Sequence, residues 1–289
     1  MQDIRNEIKN ITEIVPIPST VTLILSQSLR GDMASEKLIR LIDADAVLTA
    51  LLLRAANSAF YGLRSGVATV EHAVMLLGIA EVSRLVLMYD MKQRVFSLNK
   101  EQRDYLNRLW LHSVASATAA RILAKRIGLS SSGEEFTCAL LHDMGKIVIA
   151  QHFVHGLMKS QQMVDEMMMS DTEAETQIFA VAHDEVGAIM AENWQLPQVI
   201  IDVMRYHHNV HLSSTHHTIT CVVRMADVFA ESWGLGIGER SDEMHPAEEP
   251  AWVSLKQEFP ALAEIPFETF EEELRMEFEN NQAFSELFS

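Results

Sequence analysis

Apolar residues at helical spacing over long segments are the feature that most constrains how this 289-residue chain can fold. In the segment 38–56 they trace one side of a helix, namely Leu38, Ile42, Val47, Leu51, Leu52 and Ala55. The segment 110–127 has the same spacing, and Gly128 after it favours a helix end. The 12 glycines and 7 prolines fall at segment ends, and no alternating strand pattern of useful length is present. The sequence predicts an all-α fold.

Composition and charge narrow the class of protein. Apolar residues make up 48% and charged residues 22% of the chain, which is typical of a globular protein and excludes wholesale disorder. The formal net charge of −17 repels phosphate backbones and anionic lipid. We therefore expect no nucleic acid and no membrane as partner, whereas a basic protein partner suits this charge.

The cysteines and the start of the chain bear on the compartment. Cys138 and Cys221 lie in apolar helical stretches and cannot form a disulfide framework, which favours a reducing compartment. The segment 1–5 lacks the basic and apolar regions of a signal peptide. No run of about 18 apolar residues is present to span a membrane. The expected location is the cytoplasm.

Two polar stretches divide the chain into three predicted parts. The first stretch is 99–104, and the second is the Gly-, Glu- and Pro-rich stretch 234–250. The predicted parts are a helical N-terminal block (1–100), a helical core (101–235) and an acidic, partly helical C-terminal extension (236–289). In the extension a helix is predicted from Thr269, which precedes an acidic first turn.

The adjacent pair His142-Asp143 carries the strongest chemical signal. The histidine offers a neutral nitrogen ligand, and the carboxylate can bridge two cations. Gly145 is expected to end the helix and let the chain turn beside the pair. A His-Asp dipeptide is common by chance, so its meaning depends on the histidines and carboxylates elsewhere in the chain.

Further histidines and an aspartate lie on successive predicted helices on either side of the pair. His112 precedes it, and His183, His207, His208 and Asp227 follow it. Helical spacing turns His112 inward, and Asp227 lies in an otherwise apolar stretch. An unpaired buried carboxylate costs several kcal/mol, so Asp227 needs a cation or hydrogen-bond donors nearby. A core histidine bonded to a carbonyl would explain each histidine singly. The ordered set predicts that several of them converge on one divalent-metal site.

This order resembles the helical HD superfamily of metal-dependent phosphohydrolases, and with His183, His207 and His208 it resembles the two-metal set of the HD-GYP branch. Other stretches resemble the HD-related output domain (HDOD), and together the matches span roughly residues 14 to 235. They are Val15–Pro18, Asp43–Ala46, Leu52–Gly62, Ala73–Gly78, Trp194–Pro197 and Tyr206–His208. Asn209-Val210-His211 stands where HD-GYP proteins have Gly-Tyr-Pro, which argues against cyclic di-GMP hydrolysis.

The resemblance implies a set of ligand roles. Asp143 would bridge two cations, His112, His142 and Asp227 would hold one of them, and His183 with His207 or His208 the other. A single ion is the alternative, and the ligand types suit Fe, Mn, Zn or Ni without choosing among them. Lys146 would steady developing phosphate charge as a catalytic residue beside Asp143, or it would face solvent.

Two functions of different class follow from the resemblance. HDOD proteins are bacterial signal-transduction output modules, often joined to receiver or cyclic-nucleotide domains and without demonstrated catalysis, so the first is such a module with a protein partner or an upstream sensor or receiver domain. The second is a phosphohydrolase acting on a nucleotide or another small phosphoester. No glycine-rich phosphate cradle is evident, and Arg84, Arg121, Lys125 and Arg224 are interpreted as ordinary surface cations. Oligomeric state is left open.

Overall fold

The computed structural model describes residues 3–11, 23–24, 34–58, 61, 66–96, 102–131, 133–237 and 245–280. Every regular element in these ranges is helical, which confirms the all-α prediction. The α-helices are α1 (Arg5–Asn10), α2 (Ser35–Asp43), α3 (Ala46–Ala56), α4 (Val70–Leu77), α5 (Ile79–Phe96), α6 (Arg103–Arg126), α7 (Glu134–Leu141), α8 (Met144–His152), α9 (Val154–Met167), α10 (Asp171–Phe179), α11 (His183–Asn193), α12 (Gln198–Tyr206), α13 (His217–Ala230), α14 (Pro250–Glu258) and α15 (Phe267–Asn280).

Short 3₁₀ segments cover Val210–Leu212, Pro246–Glu248 and Pro260–Glu264, and a π-helical turn, Glu231–Leu235, continues α13. None of the helices in the described ranges combines the length and apolarity needed to cross a membrane. The motif 15–18 lies outside the described residues.

The segment 38–56 forms two helices rather than the single periodic one expected. The break falls at Asp45, whose side chain accepts a hydrogen bond from the backbone N–H of Leu48 at 3.1 Å. Such a side chain at a helix start satisfies an otherwise free N–H group, so a new helix begins there. Apolar spacing alone does not reveal such a break, because Leu38 and Ile42 on α2 and Leu52 on α3 all enter the same core.

Helices α2 to α5 pack against one another, and α5 joins them to α6 and α7. Helix α1 instead packs against α11. The backbone N–H of Ile4 lies 3.4 Å from the carbonyl oxygen of Phe179, and the guanidinium of Arg5 donates to the carbonyl of Ala180 at 2.9 Å. The first helix therefore rests on the part of the chain that leads into His183.

A partly buried ionic cluster lies where α5 meets α6 and α7, and we call Tyr61, Glu81, Arg84 and Arg121 the junction cluster. Tyr61 donates its hydroxyl proton to Glu81 at 2.6 Å. The Nε of Arg84 donates to Glu81 at 3.0 Å, and Arg121 lies 3.8 Å from the same carboxylate. Both guanidinium groups lie over the ring of Phe136. The interpretation of Arg84 and Arg121 as ordinary surface cations is therefore wrong.

Helix α6 is the centre of the molecule and packs against α5, α7, α13 and α15. Small side chains such as Ala117 and Ala120 let these neighbours approach closely, so the helix is buried on nearly all sides from Leu106 to Ala124. It ends at Arg126, and Gly128 follows with a φ of +71°, a conformation that favours glycine. His112 is thereby held inside the protein.

The C-terminal extension packs on the helical core through aromatic residues. The ring of Phe267 lies 6.0 Å from that of Phe229 on α13, and the ring of Phe278 lies 4.8 Å from that of Trp233. Helix α15 begins at Phe267, so the prediction of a start at Thr269 is wrong by two residues. The reason is Pro266, whose carbonyl accepts the backbone N–H of Phe270 at 3.0 Å and so begins the helical ladder earlier.

Candidate metal centre

The seven residues proposed as ligands come from five places in the chain and meet in one buried cluster, which we call the metal-centre cluster. Helix α6 supplies His112, the junction of α7 and α8 supplies His142 and Asp143, and α13 supplies Asp227. The start of α11 and the end of α12 supply the remaining three, His183, His207 and His208. Six of the seven are at most 2% exposed, and His208 is partly buried.

Gly145 brings two of these places together by close backbone approach. It is the second residue of α8, so the expectation that it ends a helix is wrong. A Cβ atom at this position would lie 1.9 Å from the carbonyl oxygen of His183 and 2.8 Å from the backbone nitrogen of Gly187. Only a residue without a side chain allows α8 and α11 to touch, and this contact sets Asp143 beside His183.

Asp143 faces several imidazoles at once. Its Oδ1 lies 3.2 Å from Nε2 of His183, 3.6 Å from Nε2 of His142 and 3.8 Å from Nε2 of His207. Its Oδ2 lies 3.7 Å from Nε2 of His112. A carboxylate placed between imidazoles of four different segments has the position that a bridging ligand requires.

Asp227 lies on the other side of the cluster. Its Oδ1 is 3.1 Å from Nε2 of His112 and 3.6 Å from Nε2 of His142. The side chains form three groups, and within each group the candidate ligand atoms lie within 4.8 Å of one another. These groups are His112, His142 and Asp227; His142, Asp143 and His207; and His183, His207 and His208.

Four of the histidines use Nδ1 for a hydrogen bond to the protein, so Nε2 points into the cluster. The Nδ1 acceptors are the carbonyls of Leu235 for His112, Ala139 for His142 and Met204 for His207, and the carboxylate of Glu175 for His183. Donation from Nδ1 fixes the tautomer in which Nε2 carries a lone pair. This is how proteins orient histidines that bind a metal.

Several atoms that point into the cluster are buried without a hydrogen bond of ordinary geometry in the described part of the chain. They are Nε2 of His112, His142 and His207 and Oδ1 of Asp143. Buried polar atoms left in this state are costly unless something else satisfies them. The atoms fall into two overlapping groups, so one or two cations in the cluster would satisfy them. The residues present therefore fit a metal ion, and nitrogen-rich ligation with carboxylate suits a transition metal.

Nearby charges shift the pKa values of the cluster in both directions. Burial alone would lower the pKa of His142 and of His183, but neighbouring carboxylates raise both above the usual value. Burial alone would raise the pKa of Asp143, but His142, Lys146 and His183 hold it well below its usual value. Burial, with His142 and His183 nearby, lowers the pKa of His207 to about 3. His207 is therefore neutral at physiological pH and has a lone pair available for a metal.

Lys146 is buried rather than facing solvent, so the alternative of a solvent-facing lysine is wrong. Its Nζ lies 3.0 Å from Asp143 and 2.7 Å from Asp171, and 5% of the residue is exposed. Burial alone would lower the pKa of Lys146, but the two carboxylates raise it well above its usual value. The ammonium charge is thus shared between two partners inside the protein.

Three residues around the cluster were not predicted as part of it. Glu175 accepts from both the backbone N–H of His183 at 2.8 Å and its Nδ1 at 2.7 Å. Asp171, one turn earlier on α10, holds Lys146. Arg224 is 9% exposed and donates to Asp227 at 2.9 Å, so its interpretation as a surface cation is wrong. The sequence signal that could have revealed Arg224 is its place in an apolar stretch, one helical turn before Asp227.

A cavity of about 570 Å³ borders Lys146, and none of the seven candidate ligands lines it. Its polar wall includes Lys146, Asp171, Glu175, Glu231 and Arg108. The cavity therefore reaches Asp171 and Glu175, and two of its lining residues contact the cluster: Lys146 contacts Asp143, and Glu175 contacts His183.

The model of the HDOD domain family matches residues 14–210. The chain belongs to the HDOD family. The match contains six of the seven candidate ligands, and Asp227 follows it. A relative from Treponema pallidum, described as an uncharacterized protein, is 26% identical over 220 residues, which are 75% of this chain and 42% of that protein. The chain thus spans less than half the length of this relative.

Solved structures share the fold of this HDOD chain. An HDOD domain protein of unknown function from Geobacter sulfurreducens has a TM-score of 0.80 at 24% identity and covers 98% of this chain and 94% of its own. A provisionally named signal transduction protein from Marinobacter aquaeolei has a TM-score of 0.76 at 20% identity, with coverage of 100% and 62%. A provisionally named phosphohydrolase from Shewanella amazonensis has a TM-score of 0.70 at 18% identity, with coverage of 100% and 99%. At these identities the likeness concerns the fold alone.

Proposed function

We propose that this HDOD chain is a bacterial signal-transduction output module in which the metal-centre cluster has a structural role. The observation that carries the proposal is the burial of the candidate ligands, of which six are at most 2% exposed. A catalytic metal needs an open coordination position that substrate can reach, whereas a structural metal is enclosed by protein ligands. The burial of this cluster favours the enclosed kind.

The state of Lys146 supports the same function. A lysine that binds substrate phosphate must have its charge available, but the ammonium of Lys146 already pairs with Asp143 and Asp171. Lys146 also lines the cavity, whereas none of the seven candidate ligands does. Lys146 therefore stabilises the packing of α8 against α10 through a buried ion pair with Asp171.

The proposal extends to organisation and partners. The N-terminal block (1–100) would receive or pass on a signal, the core (101–235) would hold one or two ions of Fe, Mn, Zn or Ni, and the acidic extension (236–289) would pack on the core. The net charge of −17 favours a basic protein surface, including that of a sensor or receiver domain, over nucleic acid or membrane. The free, buried Cys138 and Cys221 suit the cytoplasm.

A metal-dependent phosphohydrolase acting on a nucleotide or another small phosphoester is the second candidate. The cavity of about 570 Å³ beside Lys146 favours it, since this size suits a small ligand. A bound divalent cation would supply activated water and stabilise phosphate charge. In this function His112, His142, Asp143 and Asp227 would hold an ion, and Lys146 would have to exchange Asp171 for substrate phosphate.

The test begins with elemental metal analysis of the purified protein beside Asp143→Asn, which keeps the size of the side chain. We expect about one to two equivalents of a transition metal in the wild type and loss of the metal in the variant. A helical circular dichroism spectrum shared by both proteins is the control for folding. Absence of metal from the wild type after reconstitution with Fe²⁺, Mn²⁺, Zn²⁺ and Ni²⁺ would overturn the metal centre.

Turnover separates the two candidate functions. The metal-loaded protein is incubated with bis(p-nitrophenyl) phosphate and Mn²⁺, beside Asp143→Asn and Lys146→Gln. The structural role predicts no release of nitrophenol that depends on Asp143. Release that disappears in both variants would support the phosphohydrolase and contradict a purely structural metal.

A further inference from the structure

The carboxylate of Asp227 divides its two oxygens between different partners. Oδ1 faces Nε2 of His112 at 3.1 Å and Nε2 of His142 at 3.6 Å. Oδ2 accepts a hydrogen bond from Nη1 of Arg224 at 2.9 Å. Because Arg224 holds Oδ2, the carboxylate cannot rotate freely, and Oδ1 is the oxygen presented to the imidazoles.

Arg224 is held in turn from the C-terminal extension. Its Nε donates to Oε1 of Glu249 at 3.0 Å. Glu249 directly precedes Pro250, the first residue of α14, and α14 packs along α13. A guanidinium is planar with its donors in a fixed arrangement, so a bond at Nε also fixes the direction of Nη1. Glu249 is therefore connected to Asp227 through the rigid guanidinium of Arg224.

The charges in this chain of contacts also matter for a metal. Arg224 places a positive charge next to Asp227, and its Nη1 lies 3.4 Å from Nδ1 of His208. A cation in the cluster would be repelled by that charge. Glu249 supplies a compensating negative charge on the far side of the guanidinium.

We propose that Arg224 and Glu249 are positioning residues for Asp227, so that the C-terminal extension completes the metal centre. The proposal rests on the metal centre described under the proposed function and adds a part that lies beyond the HDOD match at 14–210. Residues after the match meet the cluster at a second point as well, since the carbonyl of Leu235 accepts Nδ1 of His112 at 3.1 Å. Displacement of α14 would therefore loosen metal binding without touching a ligand.

The experiment compares metal binding by the full chain carrying Glu249→Gln, Arg224→Gln or both. Glu248→Gln is the matched control, because Glu248 is the exposed neighbour in the same turn. Apparent Kd values for Zn²⁺ come from competition with a chromogenic chelator, and the visible spectrum of the Co²⁺-loaded protein reports the ligand geometry. We expect Glu249→Gln to bind Zn²⁺ about tenfold more weakly, as for other residues that orient metal ligands, with an altered Co²⁺ spectrum.

The double variant tests whether Glu249 acts through Arg224. We expect it to bind Zn²⁺ no more weakly than Arg224→Gln alone, whereas independent effects would multiply. Equal Zn²⁺ affinity in Glu249→Gln and Glu248→Gln, or multiplied effects in the double variant, would overturn the positioning role while the metal centre stands. Failure of the wild type to bind either Zn²⁺ or Co²⁺ would overturn the metal centre and this proposal together.

Discussion

The junction cluster is partly buried and the metal-centre cluster almost fully buried, and both are ionic, but they differ in how their polar atoms are satisfied. In the junction cluster Oε1 of Glu81 accepts from Tyr61, and Oε2 accepts from Arg84. In the metal-centre cluster three imidazole Nε2 atoms and one oxygen of Asp143 have no hydrogen bond of ordinary geometry in the described chain. Buried groups that satisfy one another hold two parts of a fold together, whereas lone pairs left over at a shared point indicate a place for a cation.

The difference is visible in the types of side chain as well. The junction cluster pairs one carboxylate with two guanidinium groups, which are always charged and cannot bind a metal. The metal-centre cluster surrounds two carboxylates with imidazoles, which in their neutral form can bind a metal and release any extra proton to solvent. Substitutions in the first should therefore change stability alone, and those in the second should change metal binding.

The largest effect is expected from Gly145→Ala. The new Cβ would lie 1.9 Å from a backbone oxygen of His183, and backbone atoms cannot turn aside as a flexible side chain can. We expect a loss of about 3 kcal/mol or more in the free energy of unfolding, together with loss of bound metal. Gly66→Ala is the control, since the nearest atom to its Cβ is 3.7 Å away. Urea denaturation and metal analysis measure both quantities, and a fully stable, metal-loaded variant would contradict the close contact.

Glu81→Gln should have the next largest effect on the free energy of unfolding and should leave the metal content unchanged. Removing the carboxylate charge leaves Arg84 and Arg121 partly buried without it, which we expect to cost about 2–3 kcal/mol of stability. Glu36→Gln is the control, because its pair with Arg40 is exposed. Reduced metal content in Glu81→Gln would break the distinction between the two clusters.

The stability difference between wild type and Glu81→Gln should also depend on pH. Burial alone would raise the pKa of Glu81, but Arg84, the hydrogen bond from Tyr61 and Arg121 lower it overall. A carboxyl whose pKa is lower in the folded state stabilises the protein above its unfolded pKa of about 4.3. The difference should be complete at pH 7 and shrink as the pH falls below that value through the folded pKa. Denaturation at a series of pH values measures it, and a constant difference would contradict this assignment.

Glu175→Gln should have a smaller effect on stability and a clear effect on metal binding. Glutamine keeps an acceptor but loses the negative charge beside Nδ1 of His183, so that imidazole becomes a weaker ligand. We expect about tenfold weaker metal affinity, measured by chelator competition. Glu192→Gln, on the same helix as His183 and half exposed, is the control. Unchanged affinity would show that Glu175 supports only the fold.

Tyr61→Phe should have the smallest effect. It removes one hydrogen bond to the buried carboxylate of Glu81 and should cost about 1.5 kcal/mol. In a Glu81→Gln background the same substitution should cost less, because the charged acceptor is already gone. Equal costs in both backgrounds would indicate that Tyr61 stabilises the protein by packing alone.

Much of the helical architecture could be predicted from the sequence, because apolar spacing reports one buried face directly. Helix α6 and its end before Gly128 follow from that spacing. The break at Asp45 and the start of α15 at Phe267 were missed, since both depend on which backbone N–H a side chain or carbonyl satisfies. Such local hydrogen bonds leave the apolar periodicity unchanged.

For the candidate site, the order of histidines and aspartates along successive helices was enough to select seven residues that the structure brings together. The same sequence did not reveal that Lys146 is buried, or that Glu175 and Arg224 face the cluster. A charged residue on a helix looks the same whether it faces water or a partner on another helix. Pairing across 25 residues, as between Arg224 and Glu249, depends on how the helices pack.

The sequence by itself determined that the chain is helical, that it belongs with HDOD proteins, and which residue types could hold a metal. Tertiary structure alone decided that the candidate ligands are buried, that the charge of Lys146 is paired with two carboxylates, and that the C-terminal extension contacts Asp227 through Arg224. The physical reason is that periodicity and ligand chemistry are properties of single segments, whereas burial, charge pairing and the close approach at Gly145 arise only between segments.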